Sequence, residues 1–172
     1  PTEANHVAAD LGDTVAVILD AGPTGIGLES TVVGLEGGRA VLLRPGGLAR
    51  AEIERVLCAP LHSPSADPAR PASPGMLVKH YAPAARLRLD AATVEPGEAL
   101  IAFGPNLPSG ADTAVEVRNL SPSGDPTEAA TNLFAALRDL DRIADRIAVM
   151  PIPDAGLGEA INDRLRRAAE GR

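Results

Sequence analysis

The sequence predicts an α/β protein built as two units, and three observations carry that expectation. Short β-type apolar runs alternate with two long amphipathic helical patterns between residues 86 and 169. Pro60, Pro64, Pro68, Pro71 and Pro74 punctuate the middle of the chain, where a sheet ladder or a helix would lose its donors. Ahead of them stand two strand-like runs around a Gly-Gly turn and then a short helical pattern. Parallel neighbours need a crossover between them, so alternation of strand and helix favours a mostly parallel sheet in the second unit. That unit is expected to be a small Rossmann-like α/β domain.

The first unit opens with a helical pattern in which Thr2 suits the N-cap, Val7, Ala8 and Leu11 share one face, and Gly12 stops the helix. Thr14 to Leu19 is an apolar, β-branched run with the composition of a buried strand. Asp20 to Gly27 breaks it with a glycine-rich loop. Such a loop can bring backbone N–H groups to an anion or serve as a plain surface turn, and no Gly-Lys-Ser/Thr closes it as a Walker loop. Glu29 to Gly34 and Arg39 to Arg44 read as a hairpin about Glu36-Gly37-Gly38, and Ala51 to Leu57 as the closing helix.

From Ala59 to Pro74 the prolines hold the backbone extended and semi-rigid, which marks a linker. Beyond it, Arg86 to Leu89, Glu98 to Phe103, Ala114 to Arg118 and Ile147 to Ile152 are the strand candidates. Asp125-Pro126-Thr127-Glu128 combines an N-cap, a proline at the first helical position and a glutamate at the third. Ala130, Leu133, Phe134, Leu137 and Leu140 then form a stripe. Leu157 to Ala169 is the second helix, with Ile161, Leu165, Ala168 and Ala169 expected inward and Arg164, Arg166 and Arg167 outward. Those arginines suit a solvated helix end and leave open a weak RNA contact. Gly104-Pro105-Asn106, after a strand, fits either a ligand loop or a turn.

Composition narrows the function classes. The chain has 172 residues, 45% of them apolar and 2% aromatic, so its core must be aliphatic. A formal charge of −7 disfavours a general nucleic-acid grip. The single Cys58 excludes an internal disulfide and a cysteine zinc cluster, and is read as a small core residue at a helix end. No apolar run is long enough for a membrane span, and a cytoplasmic protein without membrane contact is expected.

Two places carry chemistry. Arg44 closes a strand directly before Pro45-Gly46-Gly47, where its planar fork could meet a phosphate or simply be solvated. Lys79-His80-Tyr81 sets a cation, an imidazole and a phenol in succession inside a proline-rich segment, which a plain spacer does not need.

Four segments together resemble a known family: Glu29-Ser30-Thr31-Val32-Val33, Leu43-Arg44-Pro45-Gly46-Gly47, Ser73 to Pro83 around Lys79-His80-Tyr81, and Gly156 to Leu165. In this order they are similar to the long, two-domain form of threonylcarbamoyl-AMP synthase. The resemblance implies the C-terminal part of a YrdC-like α+β catalytic domain over residues 1–58, a linker and lid over 59–85, and the α/β domain over 86–172. It implies a nucleotidyltransferase that makes threonylcarbamoyl-AMP and pyrophosphate from L-threonine, bicarbonate and ATP, serving the tRNA-modification machinery that installs t6A. The alternative is a non-catalytic nucleotide- or RNA-binding module.

By the same resemblance Ser30 lines the threonine and nucleotide cleft beside Thr31, and Arg44 meets the nucleotide. His80 and Tyr81 cover the substrates, with Lys79 a weaker candidate, and no covalent catalytic residue is assigned. ATP is expected with Mg²⁺, whose ligands, like the family's Lys and Arg groups and Ser-x-Asn stretch, would lie upstream of the position of Pro1. The chain on its own is therefore expected not to turn over. It also departs at Gly34, where the family usually has Asp.

Overall fold

The computed structural model describes residues 1–64 and 83–170. Its second unit is a four-stranded sheet made of β3 (Arg86–Arg88), β4 (Ala99–Ala102), β5 (Val117–Asn119) and β6 (Arg146–Val149), in the order β3-β6-β4-β5. Every pairing is parallel, as the alternation of strand and helix requires. Helices α3 (Pro126–Asp141) and α4 (Gly158–Glu170) join Ile101, Ile147 and Val149 in one core. Leu100, Ala102 and Ala148, which alternate with those residues along the strands, pack against Ala91 and Val94 instead. Buried on both sides, β4 can be apolar throughout, and Ala99, Leu100, Ile101 and Ala102 are all fully covered.

Helix α3 begins where its capping signal places it. Asp125 accepts from the Thr127 N–H at 2.8 Å, and the Glu128 carboxylate takes the Ser121 hydroxyl at 2.5 Å. Its stripe buries Ala130, Leu133, Leu137 and Leu140, with Phe134 at the edge. Each buried leucine contributes about 1.5 to 3 kcal/mol against an exposed one. A buried carboxylate also enters this unit: Glu98 is held by Arg88 through Nε at 2.9 Å and Nη2 at 2.6 Å and by the Glu95 N–H at 2.8 Å.

The first unit contains α1 (Ala4–Leu11), β1 (Val32–Glu36), β2 (Arg39–Arg44) and α2 (Arg50–Leu57). Strands β1 and β2 form the expected hairpin, with Glu36 opposite Arg39, both turn glycines at positive φ, and an irregularity at Val32 and Val33. After α2 the chain returns to β2: His62 bridges Val41, and Leu61 is buried.

Four expectations are corrected. Thr14 to Leu19 is not a strand; a 3₁₀ turn covers Gly12–Thr14 and an irregular extended path follows. Val17 and Leu19 are 74% and 90% exposed, and among the described residues no strand lies beside them to satisfy that apolar run. Thr2 does not cap α1, whose N-cap is Glu3; the Thr2 N–H donates to His6 Nδ1 at 3.2 Å instead. Cys58 is exposed in a left-handed conformation at the end of α2, not a core residue. Arg164, expected outward, is 0% exposed.

The two units meet along several polar links. Arg138 of α3 grips Asp10 of α1 at 2.8 and 2.6 Å. Thr131 donates to the Gly25 carbonyl at 3.1 Å. Arg50 of α2 binds Glu159 of α4 at 2.6 Å and, through Nη1, the Leu61 carbonyl at 3.0 Å. Gly27, at φ +74°, lies so close to α3 that a Cβ would sit 2.3 Å from the Ala130 carbonyl oxygen.

Candidate functional site

The residues around positions 30 and 44 are drawn together by the hairpin. Because β2 ends beside the segment leading into β1, Arg44 reaches back across it, with Nη2 2.8 Å and Nε 3.3 Å from the Ser30 carbonyl oxygen. Nη2 also lies 3.4 Å from Ser30 Oγ. Arg44 as a residue is only 8% exposed, and part of its fork is committed to Ser30. Ser30 itself is an exposed residue, and its hydroxyl lies beside this positive charge.

Thr31 has a different task. Its hydroxyl donates to the Leu48 carbonyl at 2.6 Å and accepts from the Leu48 N–H at 3.1 Å, which ties the Pro45–Leu48 turn to the strand entry. The Gly47 N–H adds a bond to the Glu29 carbonyl at 2.8 Å. A Cβ on Gly46 would come within 2.4 Å of the Glu29 carbonyl oxygen and the Thr31 nitrogen, so only glycine lets the turn close on the segment. Lys79, His80 and Tyr81 lie outside the described residues.

The fourth motif touches this cluster from the other unit. Arg164 Nε donates to Glu29 Oε2 at 3.0 Å and Nη2 to the Pro45 carbonyl at 3.0 Å, while Nη1 meets Asp163 at 2.6 Å. Asp163 is shared with Arg167 at 3.0 to 3.1 Å, and of the three arginines in α4 only Arg166 is exposed. The outward patch of three arginines is therefore not formed. The signal for Arg164 was present in its spacing: it follows Ile161 by three positions and precedes Ala168 by four, on the buried stripe, and a charge there needs a buried partner.

A cavity of about 800 Å³ runs between the 24–29 segment and α3, lined by Ile26, Leu28, Glu29, Phe134 and Arg138 among others. It includes neither Ser30 nor Arg44 in its lining. Among the described residues no three His, Cys, Asp or Glu side chains converge as metal ligands.

The profile of a protein family described as "Threonylcarbamoyl-AMP synthase, C-terminal domain" matches residues 48–170. The chain belongs to the threonylcarbamoyl-AMP synthase family. It is 38% identical to the threonylcarbamoyl-AMP synthase of Bacillus subtilis over 187 residues, covering all of this chain and 54% of that protein. The Pyrococcus abyssi protein of the same name is 39% identical, covering 98% and 54%. A crystal structure of P. abyssi Sua5 complexed with L-threonine superposes with a TM-score of 0.79 at 35% identity, covering all of this chain and 54% of that one. The chain thus spans about half the length of the relatives it matches. The family resemblance seen in the motifs is borne out, and so is the mostly parallel α/β architecture. At Gly34, the departure from the family pattern, a Cβ would lie 2.9 Å from Leu43 Cδ1, so a larger residue needs that side chain to move.

Proposed function

We propose that the chain supplies the later part of the catalytic domain, the lid and the C-terminal domain of an L-threonylcarbamoyladenylate synthase, divided at residues 1–58, 59–85 and 86–172. In the proposed reaction the amine of L-threonine adds to bicarbonate with loss of water, giving a carbamate. A carbamate oxygen then attacks the α-phosphorus of ATP, pyrophosphate leaves, and threonylcarbamoyl-AMP remains for the tRNA-modification machinery of the cytoplasm. The groups that would hold Mg²⁺ and the triphosphate are assigned to the part of the relatives that this chain does not span. The work left to the described residues is positioning and charge stabilisation, with no covalent enzyme intermediate.

The observation that carries this reading is the Ser30–Arg44 contact, which sets the hydroxyl of an exposed serine and a pre-oriented guanidinium at one point. The hydroxyl can donate to a carboxylate or phosphate oxygen, and the cation strengthens as an anion partner when partly enclosed. Thr31, its hydroxyl committed to Leu48, serves as the brace of that pair. The L-threonine held by the P. abyssi relative supports an amino-acid subsite. A second solved P. abyssi structure carries a histidine and a tyrosine each replaced by alanine. It supports a role for the one His-Tyr step here, His80-Tyr81, in covering the bound substrates, with Lys79 beside them. Such a cover suits the chemistry, because carbamate and the mixed anhydride are both lost to water.

Calorimetric titration of AMP into this chain tests the site. Arg44→Ala should weaken binding about tenfold or more, since a charge-assisted hydrogen bond is worth roughly 1.5 to 3 kcal/mol. Unchanged affinity would remove Arg44 from the site.

A further inference from the structure

The link between α4 and the Ser30–Arg44 pair is built differently from the other links between the units. Arg50–Glu159 and Arg138–Asp10 each join helix to helix through partly exposed side chains. Arg164 is wholly buried and divides its guanidinium among three acceptors on both units: Glu29 and the Pro45 carbonyl on the first, Asp163 on its own helix. Burying a guanidinium is costly unless every donor direction is used, and an apolar side chain would dock two surfaces at less cost. What the planar fork adds is fixed geometry between the groups it spans.

The groups it spans are Glu29, which precedes Ser30, and Pro45, which follows Arg44. Arg44 closes the loop by holding the Ser30 carbonyl, and the Gly47 N–H holds that of Glu29. We propose that Arg164 is a positioning residue for the Ser30–Arg44 anion site, setting from the C-terminal domain the spacing between the two strand ends that carry it. This gives the C-terminal domain a part in the catalytic domain's site, and for its ligand it rests on the function proposed above. Glu159, five positions before Arg164 on α4, pairs with Arg50 of α2, which also holds the Leu61 carbonyl, so this pair joins the units away from both strand ends.

Two measurements on this chain separate these roles. The first is amide exchange at Gly47 and Leu48, whose N–H groups bridge the cluster, with the Gly104 N–H, bonded to the Ser121 carbonyl, as an internal reference. Arg164→Lys, which keeps the charge and loses the fork, and Glu29→Gln, which attacks the same contact from the other unit, should each speed exchange at Gly47 and Leu48 about tenfold, with Gly104 unchanged. Glu159→Gln should leave all three alone. The second is AMP affinity, expected to fall about fivefold in Arg164→Lys and to hold in Glu159→Gln, as loss of a charge-assisted contact predicts. Unchanged exchange at Gly47 and Leu48 in both Arg164→Lys and Glu29→Gln overturns the proposal, as does an equal loss of affinity in Glu159→Gln. If the unsubstituted chain binds no AMP while the exchange pattern appears as expected, the ligand assignment falls and the positioning role of Arg164 stands.

Discussion

The two units handle the same kind of apolar run in opposite ways. In the second unit Ala99 to Ala102 sits between two packed layers and is fully buried, while in the first Val17 and Leu19 stand almost entirely exposed. Leu35 and Val56 repeat the exposure on β1 and α2, and among the described residues the buried apolar side chains of the first unit come to Val41 and Leu42, joined by Leu61 just beyond it. Composition does not separate the two regions. What separates them is whether a neighbour exists, since an apolar run becomes a strand only where a ladder and a covering layer are both supplied. The first unit is held instead by specific polar ties, to itself at Ser30, Thr31 and Arg44 and to the second unit at Asp10, Glu29 and Arg50.

This contrast is broken most forcefully by cutting into the covered unit. Leu133→Ala, at a fully buried position on α3, should destabilise by about 2 to 5 kcal/mol, whereas Leu19→Ala should change stability by less than about 0.5 kcal/mol. Urea unfolding of the two variants decides it. A comparable loss at Leu19 would mean that the exposed run is covered in solution.

What could be read from residues alone follows the same division. Helix α3 was legible because its cap, proline and stripe are local, and the Gly37-Gly38 hairpin because its turn chemistry is local. Parallel pairing was legible from alternation, although the order β3-β6-β4-β5 was not, since no local signal encodes which strands become neighbours. The Thr14 to Leu19 strand failed for want of a partner, and Cys58 was misplaced because α2 leaves its last turn uncovered. At the candidate site, Arg44 stood out by its strand-end position and Ser30 and Thr31 only through the family motifs, and the meeting of these residues follows from the hairpin register. Arg164 was missed because arginine at a helix end usually points to water, and its partners on the first unit lie more than a hundred residues away.

The next effect in size concerns Glu98, the one carboxylate buried among the described residues of the second unit. The Arg88 guanidinium, aided by the Glu95 N–H, holds the Glu98 carboxyl below the usual glutamate range despite burial. Its ionised form is thus favoured by folding, and the stability it adds is present above the unfolded value of about 4.3 and lost as pH falls through the lower folded value. Glu98→Gln should cost about 2 kcal/mol at neutral pH, as loss of a charged hydrogen bond predicts, and should flatten the acid limb of a stability-versus-pH curve below about pH 4.3. An unaltered acid limb in that variant would show that the Arg88–Glu98 pair does not set it.

The smallest effect belongs to the first unit and appears at milder acidity. His6 is buried in α1 and accepts the Thr2 N–H at Nδ1. Burial, then the Arg138 charge, holds its imidazole below the ordinary value, with the chain's amino terminus and Arg142 acting in the same sense and Glu3 opposing them. A base whose folded value is depressed binds its proton more readily when unfolded, so stability is full above about pH 6.5 and erodes as pH falls through that value toward the folded one. One proton can contribute no more than about 1.4 kcal/mol per pH unit, so this slope is shallow. It should vanish in His6→Asn, which keeps an acceptor near the Thr2 N–H and does not titrate. Because the Asp10–Arg138 link lies on the same helix, the loss should be read first as weakened docking of α1 on α3, in faster amide exchange along Ala4–Leu11 between pH 6.5 and 5.5 while β4 stays protected. Equal loosening of β4 across that interval would instead tie His6 to the stability of the whole molecule, and the two units would then respond to acid as one.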